Sequence, residues 1–546
     1  MGGGPTGLLA SILLSQHEIP HILVEQRDDT LQAPAAHVVN TRTMEIYRQA
    51  GLDVAELYAL NTHPVARYVA WKSRLEKTPI GVFDAASNRD ALMAQSRFSN
   101  EHTTNISQHR LEAYLKSQAE ESAYADIRFG TEWLGFGDDN KQLSRLRTTA
   151  GVELEVSHEY LLAADGAGSP VARSLNIKKV GPDAIATFLN LTCEVNLANR
   201  SGDDTTLLYW LLDPAVQGTI IVHDPSSLSV YMRPLGAYES VDDYDDERCD
   251  SLLKEVFGDE PFKVKHKGVW KMTAQVAEQF QVGPVFLIGD SVHRFPPTGG
   301  LGLNTGVGDA HNLIWKLAIA LKGNIPKGQV AALLESYELE RKPVAQRNCD
   351  VSKRNNDKMI EVVLALGLDP AKASSVAKLK NTGWVKALPN GLQSLIQRIL
   401  MRPVQEVLKR AESETEDGAF IRKNVASAID NQREHFSSIG LDLGYVYRDG
   451  CVVGEAAKDT PGSDVSTYTE VFGAGARLPN RKLADGSRLH EKLNYLAFTL
   501  FLAQGASPED IDTYGVAVDV VAVDGDDLDD HNWVLVRPDG HVLAVG

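Results

Sequence analysis

An α/β fold is predicted by three stretches of the sequence, each joining an apolar strand or helix through a glycine-rich turn. The first is Gly2-Gly3-Gly4-Pro5-Thr6-Gly7, which runs into the helix-like Leu8 to Leu14 and the strand-like Ile22 to Val24. The second is Leu161 to Arg173, where an apolar strand delivers Asp165-Gly166 to a helix start. The third is Val285 to Leu317, a strand ending in Gly289-Asp290, then a glycine-rich loop and a helix. Strands alternating with helices through such turns are the pattern of a mostly parallel sheet covered by helices.

Gly2, Gly4 and Gly7 fit GxGxxG. Two of these glycines permit a tight turn and close backbone approach to a pyrophosphate, the third lets helix and strand pack closely, and the helix N-terminus offers N–H groups. Glu25, at the end of the following strand, is placed to accept hydrogen bonds from ribose hydroxyls. The first stretch therefore predicts a Rossmann-like adenine-dinucleotide site. One part is missing. The fingerprint normally follows a buried strand, yet Met1 directly precedes the glycines; the expectation is a truncated start, with weakened cofactor binding. In the third stretch, Asp290 leaves the carboxyl end of a strand, where open α/β sheets bind ligands. Gly299, Gly300 and Gly302 let backbone N–H groups lie against a flat ligand, and a helix is expected to start near Asn304. No second nucleotide fingerprint occurs, and Phe188 to Lys271 reads as alternating strands.

Composition narrows the function classes. The 546 residues carry 55 Lys+Arg against 73 Asp+Glu, a formal charge of −18. No basic face is available for phosphate backbones or anionic lipid, so neither nucleic acid nor membrane is expected as a partner. Leu8 to Leu14 falls far short of the roughly 20 residues that span a bilayer. Cys193, Cys249, Cys349 and Cys451 are too dispersed for a zinc site, so no metal is expected, and a reduced cytoplasmic protein is the simplest reading. Glu509 to Asp530 holds nine acidic residues and no basic one, a solvated run without calcium-loop spacing.

Taken together, these motifs resemble the FAD-dependent aromatic hydroxylases of the para-hydroxybenzoate hydroxylase fold, and within them the phenol and chlorophenol monooxygenases with a C-terminal thioredoxin-like domain. Further matches are Ala36 to Glu45 (AHVVNTRTME), Ser107 to Glu112 (SQHRLE) and Tyr337 to Pro343 (YELERKP). The resemblance implies an FAD-binding domain at 1–180 and 272–350, interleaved with a β-sheet substrate domain at 181–271. A helical segment follows at 351–440 and a thioredoxin-like domain at 441–546. The tail has no CxxC, which excludes thiol-disulfide exchange there. A buried helix face is expected at Leu392, Leu395, Ile396 and Ile399.

The resemblance also implies roles. Arg42 and Gln108 would contact the FAD ribityl and pyrophosphate region, Asp165 would serve FAD and a passing NADH or NADPH, and Asp290 would hold ribityl hydroxyls. Gly299, Gly300, Gly302, Leu303 and Asn304 would bind the flavin, and Pro297 would border the substrate. His37, five residues before Arg42, is a candidate base, although a structural histidine remains an open alternative; His293 reads as structural. Tyr209, Trp210 and Tyr231 are candidates for lining an aromatic pocket. The implied reaction is hydroxylation of a phenolic ring with NAD(P)H and O2 through a C4a-hydroperoxyflavin, in a homodimer. Two alternatives stay open: an oxygenase of the same fold with a Baeyer-Villiger or polyketide-tailoring outcome, and an FAD-depleted truncated scaffold. A flavin halogenase would show WxWxIP, which is absent.

Overall fold

The computed structural model describes residues 1–85, 96–138, 140–198, 205–236, 239–368, 402–458, 465–507, 518–529 and 531–546. Leu392, Leu395, Ile396 and Ile399 lie outside the described residues, as does part of the acidic run at 509–530.

The predicted parallel layer is present in two pieces. His21–Glu25 pairs in parallel with Ala125–Phe129, and Leu161–Ala163 pairs in parallel with Val285–Leu287. Among the described residues, Met1 and Gly2 bridge the pieces: the Gly2 N–H donates to the Val24 carbonyl and the Ala164 N–H to the Met1 carbonyl, both at 2.8 Å. The helix Pro5–Gln16 covers this seam. Proline in its first turn suits the unpaired helix start, and its apolar residues on all sides match its near-complete burial.

The helix Leu301–Lys322 lies against it and starts three residues earlier than expected. The reason is Gly300, whose φ of +63° ends the preceding loop; a methyl group there would sit 2.7 Å from Val38 Cβ. Gly323 in the left-handed region closes the helix, with Lys322 in the last turn. The long helix Lys327–Lys358 follows. The YELERKP residues lie on it. The Tyr337 hydroxyl donates to the Leu287 carbonyl at 2.7 Å, fastening this helix to the strand that delivers Asp290.

The second layer is a seven-stranded sheet in the order Phe262–Met272, Ala186–Val195, Leu228–Leu235, Gly218–Asp224, Thr206–Leu211, Tyr68–Lys72, Gly81–Asp84. The last two strands come from well before residue 181, so the sheet is not confined to 181–271. One face packs on the helix Asp246–Phe257 through Leu189, Leu191, Tyr209, Ile220 and Tyr231. The other face is covered at its Tyr68–Lys72 end by the helices Ile360–Ala365 and Glu416–Asp430.

In the tail, Phe498–Ala503 pairs in parallel with Val518–Val523 and antiparallel with Trp533–Val536, which pairs antiparallel with Val542–Val545. Among the described residues, no helix is long and apolar enough to cross a membrane.

Candidate active site

Three loops converge at the carboxyl ends of the parallel strands. Gly2, with φ of +98°, packs so closely that a methyl group would fall 2.1 Å from the Ala164 carbonyl oxygen, and one at Gly7 would fall 2.0 Å from the Gly2 carbonyl oxygen. Thr6 wedges between Gly289 and Gly306, where added methyl groups would approach its Oγ1 to 2.9 and 2.5 Å. The opening loop, the Asp290 loop and the helix at Leu301 are thus locked together by missing side chains. Gly166 and Gly302 are different, since a methyl group there would meet no atom within 4 Å. They border open space. Both helices that begin here, at Pro5 and Leu301, lack a side-chain cap and an acidic residue in the first turn, so their N–H groups are available to an anion.

The predicted acids take three distinct positions. Glu25 is buried, and its carboxylate accepts the Gly3 N–H at 2.6 Å, the Arg27 N–H at 2.9 Å and Arg27 Nε at 3.0 Å. Burial alone would raise its pKa, but Arg27 and the Gly3 N–H hold it below the ordinary value. It therefore ties the glycine loop to the strand. Asp165 Oδ2 accepts the Val171 N–H at 3.2 Å, while Oδ1 is buried with no partner. Asp290 opens to solvent, yet burial by the surrounding walls pushes its carboxyl up against the pull of His293, Lys179 and Arg294.

The Gly289–Asp290 turn is held from behind. Asp309, fully buried, accepts the Gly289 N–H at 3.1 Å, His293 Nε2 at 2.7 Å and Arg341 Nε at 2.8 Å. His293 is thereby committed to the scaffold. The following loop is clamped by Ser352, whose hydroxyl donates to the Pro296 carbonyl at 2.8 Å and to the Thr298 carbonyl at 2.9 Å. Pro297 itself is exposed, and its carbonyl accepts the Gly300 N–H at 3.0 Å. Leu303 is half-buried against the core. The Asn304 amide is occupied: it donates to the carbonyls of Val38 and Gly300 and accepts the Asn40 N–H. Asn304 positions the loop through its side chain, leaving only its backbone to face a ligand.

Gln108 stands at the start of the helix Gln108–Glu120 and donates to Glu112 Oε1 at 2.8 Å. That oxygen is 4.0 Å from where a methyl group on Gly4 would lie, so Gln108 belongs to the rim of the opening loop. Arg42 belongs elsewhere. It is buried, donating to Glu45 at 3.0 Å and to the Asp539 carbonyl at 2.8 Å. Both terminal nitrogens thus serve the junction with the tail.

The aromatic candidates divide by strand parity. Tyr209 and Tyr231 are buried on the face under Asp246–Phe257, and the Tyr231 hydroxyl donates to the Val216 and Gln217 carbonyls. Side chains alternate along a strand, so Trp210 must point the other way. On its face a single row crosses the sheet, Asn190–Met232–Thr219–Trp210, set by the strand registers. Phe188, Asn190, Trp210, Ile221, Met232 and Trp270 are all half-buried. Asn190 Oδ1 and Trp210 Nε1 are buried without hydrogen-bond partners.

At one end of that face, His223 meets the opening layer. Its Nδ1 lies 2.7 Å from Ser107 Oγ, and its ring is edge-on to His37 with centroids 5.4 Å apart. Burial pushes the His37 imidazole down to about 4 and that of His223 well below the ordinary value, so both are neutral near pH 7. Sequence reading found His37 but missed His223, Asn190, Ser352 and Asn355. Asn355 is 1% exposed, and neither side-chain polar atom has a partner; its Nδ2 is 3.6 Å from a methyl position on Gly299. No motif marks these residues, because each is joined to the site only by folding.

The parallel strand–glycine–helix layer, the strand-end Asp290 and the half-open sheet beside it define a mixed α/β FAD-dependent hydroxylase fold. The chain belongs to the FAD binding domain family, which matches residues 1–352. It is 28% identical over 585 aligned residues to 2,4-dichlorophenol 6-monooxygenase of Cupriavidus pinatubonensis, covering 99% of this chain and 92% of that one. A Streptomyces halstedii protein named as a polyketide hydroxylase is 34% identical over 357 residues, 63% of this chain and 62% of that protein. Among solved structures, the flavin-dependent monooxygenase PieE in complex with FAD and substrate superposes with a TM-score of 0.83 at 28% identity, covering 100% of this chain and 95% of that one.

The cradle fits FAD at the loops: two uncapped helix starts, an orphaned Asp165 oxygen and open space at Gly166 and Gly302. Gly302→Ala checks this. The new methyl group meets no protein atom and alanine favours a helix over glycine by about 1 kcal/mol, so thermal stability holds or rises. FAD affinity, followed by flavin fluorescence, is expected to fall at least about tenfold because the methyl group enters the ligand's space.

Proposed function

We propose that this chain is an FAD-dependent monooxygenase that hydroxylates a phenolic or related aromatic ring with O2 and NADH or NADPH. The observation that carries the reading is the glycine-lined cradle at Gly166 and Gly302 with the uncapped helix starts at Pro5 and Leu301, in a fold whose sheet carries the half-buried aromatics Phe188, Trp210 and Trp270 on one face. FAD, when bound, supplies the redox chemistry that activates dioxygen. The chain's own residues do the rest. Gly2, Gly4, Gly7, Asp165 and Asp290 hold the cofactor, and the uncapped helix start at Leu301 favours negative charge on a ring lying against Gly299 to Gly302. Trp210 and Asn190 orient ring substituents. His37, kept neutral by burial, is placed as a hydrogen-bond acceptor for a phenol hydroxyl and not as a strong base, with the His223 ring edge-on to it. Pro297 borders the substrate.

The domain division is proposed as 1–180 with 272–350, 181–271, 351–440 and 441–546, amended so that 68–84 joins the sheet. A thioredoxin-like tail is supported by its strand order, with one strand antiparallel to its neighbours. NAD(P)H as reductant, a cytoplasmic site of action and a homodimer complete the reading.

The test is the visible spectrum of the FAD-loaded chain, followed by substrate-stimulated NAD(P)H oxidation with a panel of phenols and ketones. Ring-hydroxylated product is expected; oxygen insertion beside a ketone carbonyl, or no bound flavin, overturns the reading. Parity gives a sharper measurement. Trp210→Phe removes an unpartnered donor from the pocket face and is expected to raise KM about tenfold for oxygenated rings, while Tyr209→Phe leaves KM within about twofold. Equal effects from the two substitutions would assign the pocket to the wrong face.

A further inference from the structure

Asp442 is a buried carboxyl outside the cofactor loops. It lies on the short helix Ile439–Leu443, 8% exposed, and its Oδ1 accepts the Ser438 hydroxyl at 3.3 Å. Its other hydrogen bond comes from the Asn40 side chain. Asn40 caps the helix Thr41–Gln49 by accepting the Thr43 N–H on Oδ1 at 2.9 Å, so the atom it turns to Asp442 is the donor Nδ2. The Asn40 backbone N–H donates to Asn304 Oδ1 at 3.0 Å, and Asn304 Nδ2 donates to the Gly300 carbonyl at 2.6 Å and the Val38 carbonyl at 3.0 Å. A line of bonds thus runs Asp442–Asn40–Asn304–Gly300. Among the described residues, no charged group acts on the carboxyl at its far end. Its own helix has no other titratable residue. The helix Thr41–Gln49 packed against it carries Arg42, Glu45 and Arg48, which pair elsewhere: Arg42 with Glu45, Glu45 with Arg477, and Arg48 with Glu101. Tyr47 on that helix, and Tyr468 packed on Ile439 and Leu443, are kept neutral by burial. With two neutral donors and no cation, burial wins and pushes the Asp442 carboxyl up to about 7.

Given the reading of the Gly299–Gly302 loop as part of the FAD cradle, we propose that Asp442 is a positioning residue for that loop, acting through Asn40 and Asn304, and that its carboxylate form holds the loop for FAD more firmly than its protonated form. The charge decides the strength of the first bond. As an anion, Asp442 accepts from Asn40 Nδ2 and Ser438 Oγ in charge-assisted hydrogen bonds, roughly twice as strong as neutral ones. As an acid, it turns its proton toward Ser438, because Asn40 Nδ2 is itself a donor, and the Asn40 bond falls to neutral strength. The difference passes down the line. Asn40 holds Asn304, and Asn304 fixes Gly300, whose φ of +63° and close packing on Val38 leave the loop one arrangement. The Val38 carbonyl takes the same Asn304 amide, so the strand beside His37 is steadied with it. Proton and cofactor then oppose each other: FAD, binding the anion better, lowers the Asp442 pKa by the same factor.

The experiment uses the full chain and reads FAD affinity by flavin fluorescence from about pH 5.5 to about pH 8.5, a range that brackets the Asp442 titration. Wild type is expected to bind FAD about fivefold tighter at the upper end than at the lower. Asp442→Asn keeps the shape and fixes the neutral form, so it should match wild type at the acid end and stay flat. Ser438→Ala leaves the Asn40 link in place but removes a donor that favours the anion, so the fivefold span should persist with its midpoint moved up. The carboxyl itself is read without FAD, as the infrared carboxylic-acid band that wild type shows and Asp442→Asn lacks. An Asp442→Asn chain that keeps the wild-type slope assigns the titration to another group, such as Asp290, and overturns the proposal. A loss of affinity equal at every pH, which a merely structural role gives, also overturns it, as does an unmoved midpoint in Ser438→Ala or an acid band that vanishes in the ordinary aspartate range. Undiminished FAD affinity in Gly302→Ala marks the separate failure of the cradle and takes the proposal with it.

Discussion

Glu340→Gln is expected to lower stability by about 3–5 kcal/mol and to loosen the tail from the rest of the chain. Glu340 is 1% exposed and accepts from Lys316 Nζ at 2.8 Å, Arg537 Nη2 at 2.8 Å, Asn312 Nδ2 at 2.6 Å and the Cys451 N–H at 2.8 Å. With Asp539, which also pairs with Arg537, the buried group carries two cations and two anions. Removing one negative charge strands a positive one in a site that water cannot reach. The measurement is denaturant unfolding together with limited proteolysis between 450 and 458. The control is Asp357→Asn, which makes the same charge change in the exposed Lys353–Asp357 pair and is expected to cost less than about 0.5 kcal/mol.

The pH dependence has a definite sign. Burial alone would raise the Glu340 carboxyl, but Arg537 and Lys316 outweigh it and hold the folded pKa below the ordinary value. A depressed carboxylate contributes stability that is present above its unfolded pKa and is lost as pH falls through the folded one. The wild-type chain should therefore lose this contribution on acidification below the ordinary glutamate range. The glutamine variant, having already lost it, should show a flatter acid limb.

Gly7→Ala is expected to reduce FAD affinity at least about a hundredfold while leaving the tail intact. The new methyl group would lie 2.0 Å from the Gly2 carbonyl oxygen and 3.3 Å from Ala164 Cβ, so backbone must move. The part that moves is Gly2, the residue whose position sets the start of the opening glycine loop. Flavin fluorescence reads the affinity, and exchange at 498–503 reads the tail. Undiminished FAD binding would mean that the opening loop is not the cradle.

Much of this was legible in the sequence. Glycines needed for close approach leave a mark, because no other residue fits where a strand end, a helix start and a turn meet; Gly2 and Gly7 were identified that way, whereas the tight contact of Gly289 with Thr6 was not. The acids at strand ends were equally visible. Glu25 shows the limit: its position at a strand end was readable, but nothing in the local spacing indicated that Arg27 and the Gly3 N–H would take up its oxygens. Tyr209 and Trp210 show another. Composition marked both as aromatic and strand-like, and alternation meant that only one could face the open side. Which one depended on where the helix Asp246–Phe257 packs.

The sequence by itself determined the α/β class, the dinucleotide cradle and the order of the loops, because these rest on local rules: glycine torsions, apolar runs and helix starts act within a few residues. The tertiary structure decided what each polar side chain does. Arg42 was expected at the cofactor and is bonded to Glu45 and to Asp539, 497 positions away, while Arg477 reaches the same Glu45 across 432. It also joined 68–84 to the sheet. A carboxylate or guanidinium binds whichever partner the fold buries beside it, and that choice depends on distances in space that no local spacing encodes.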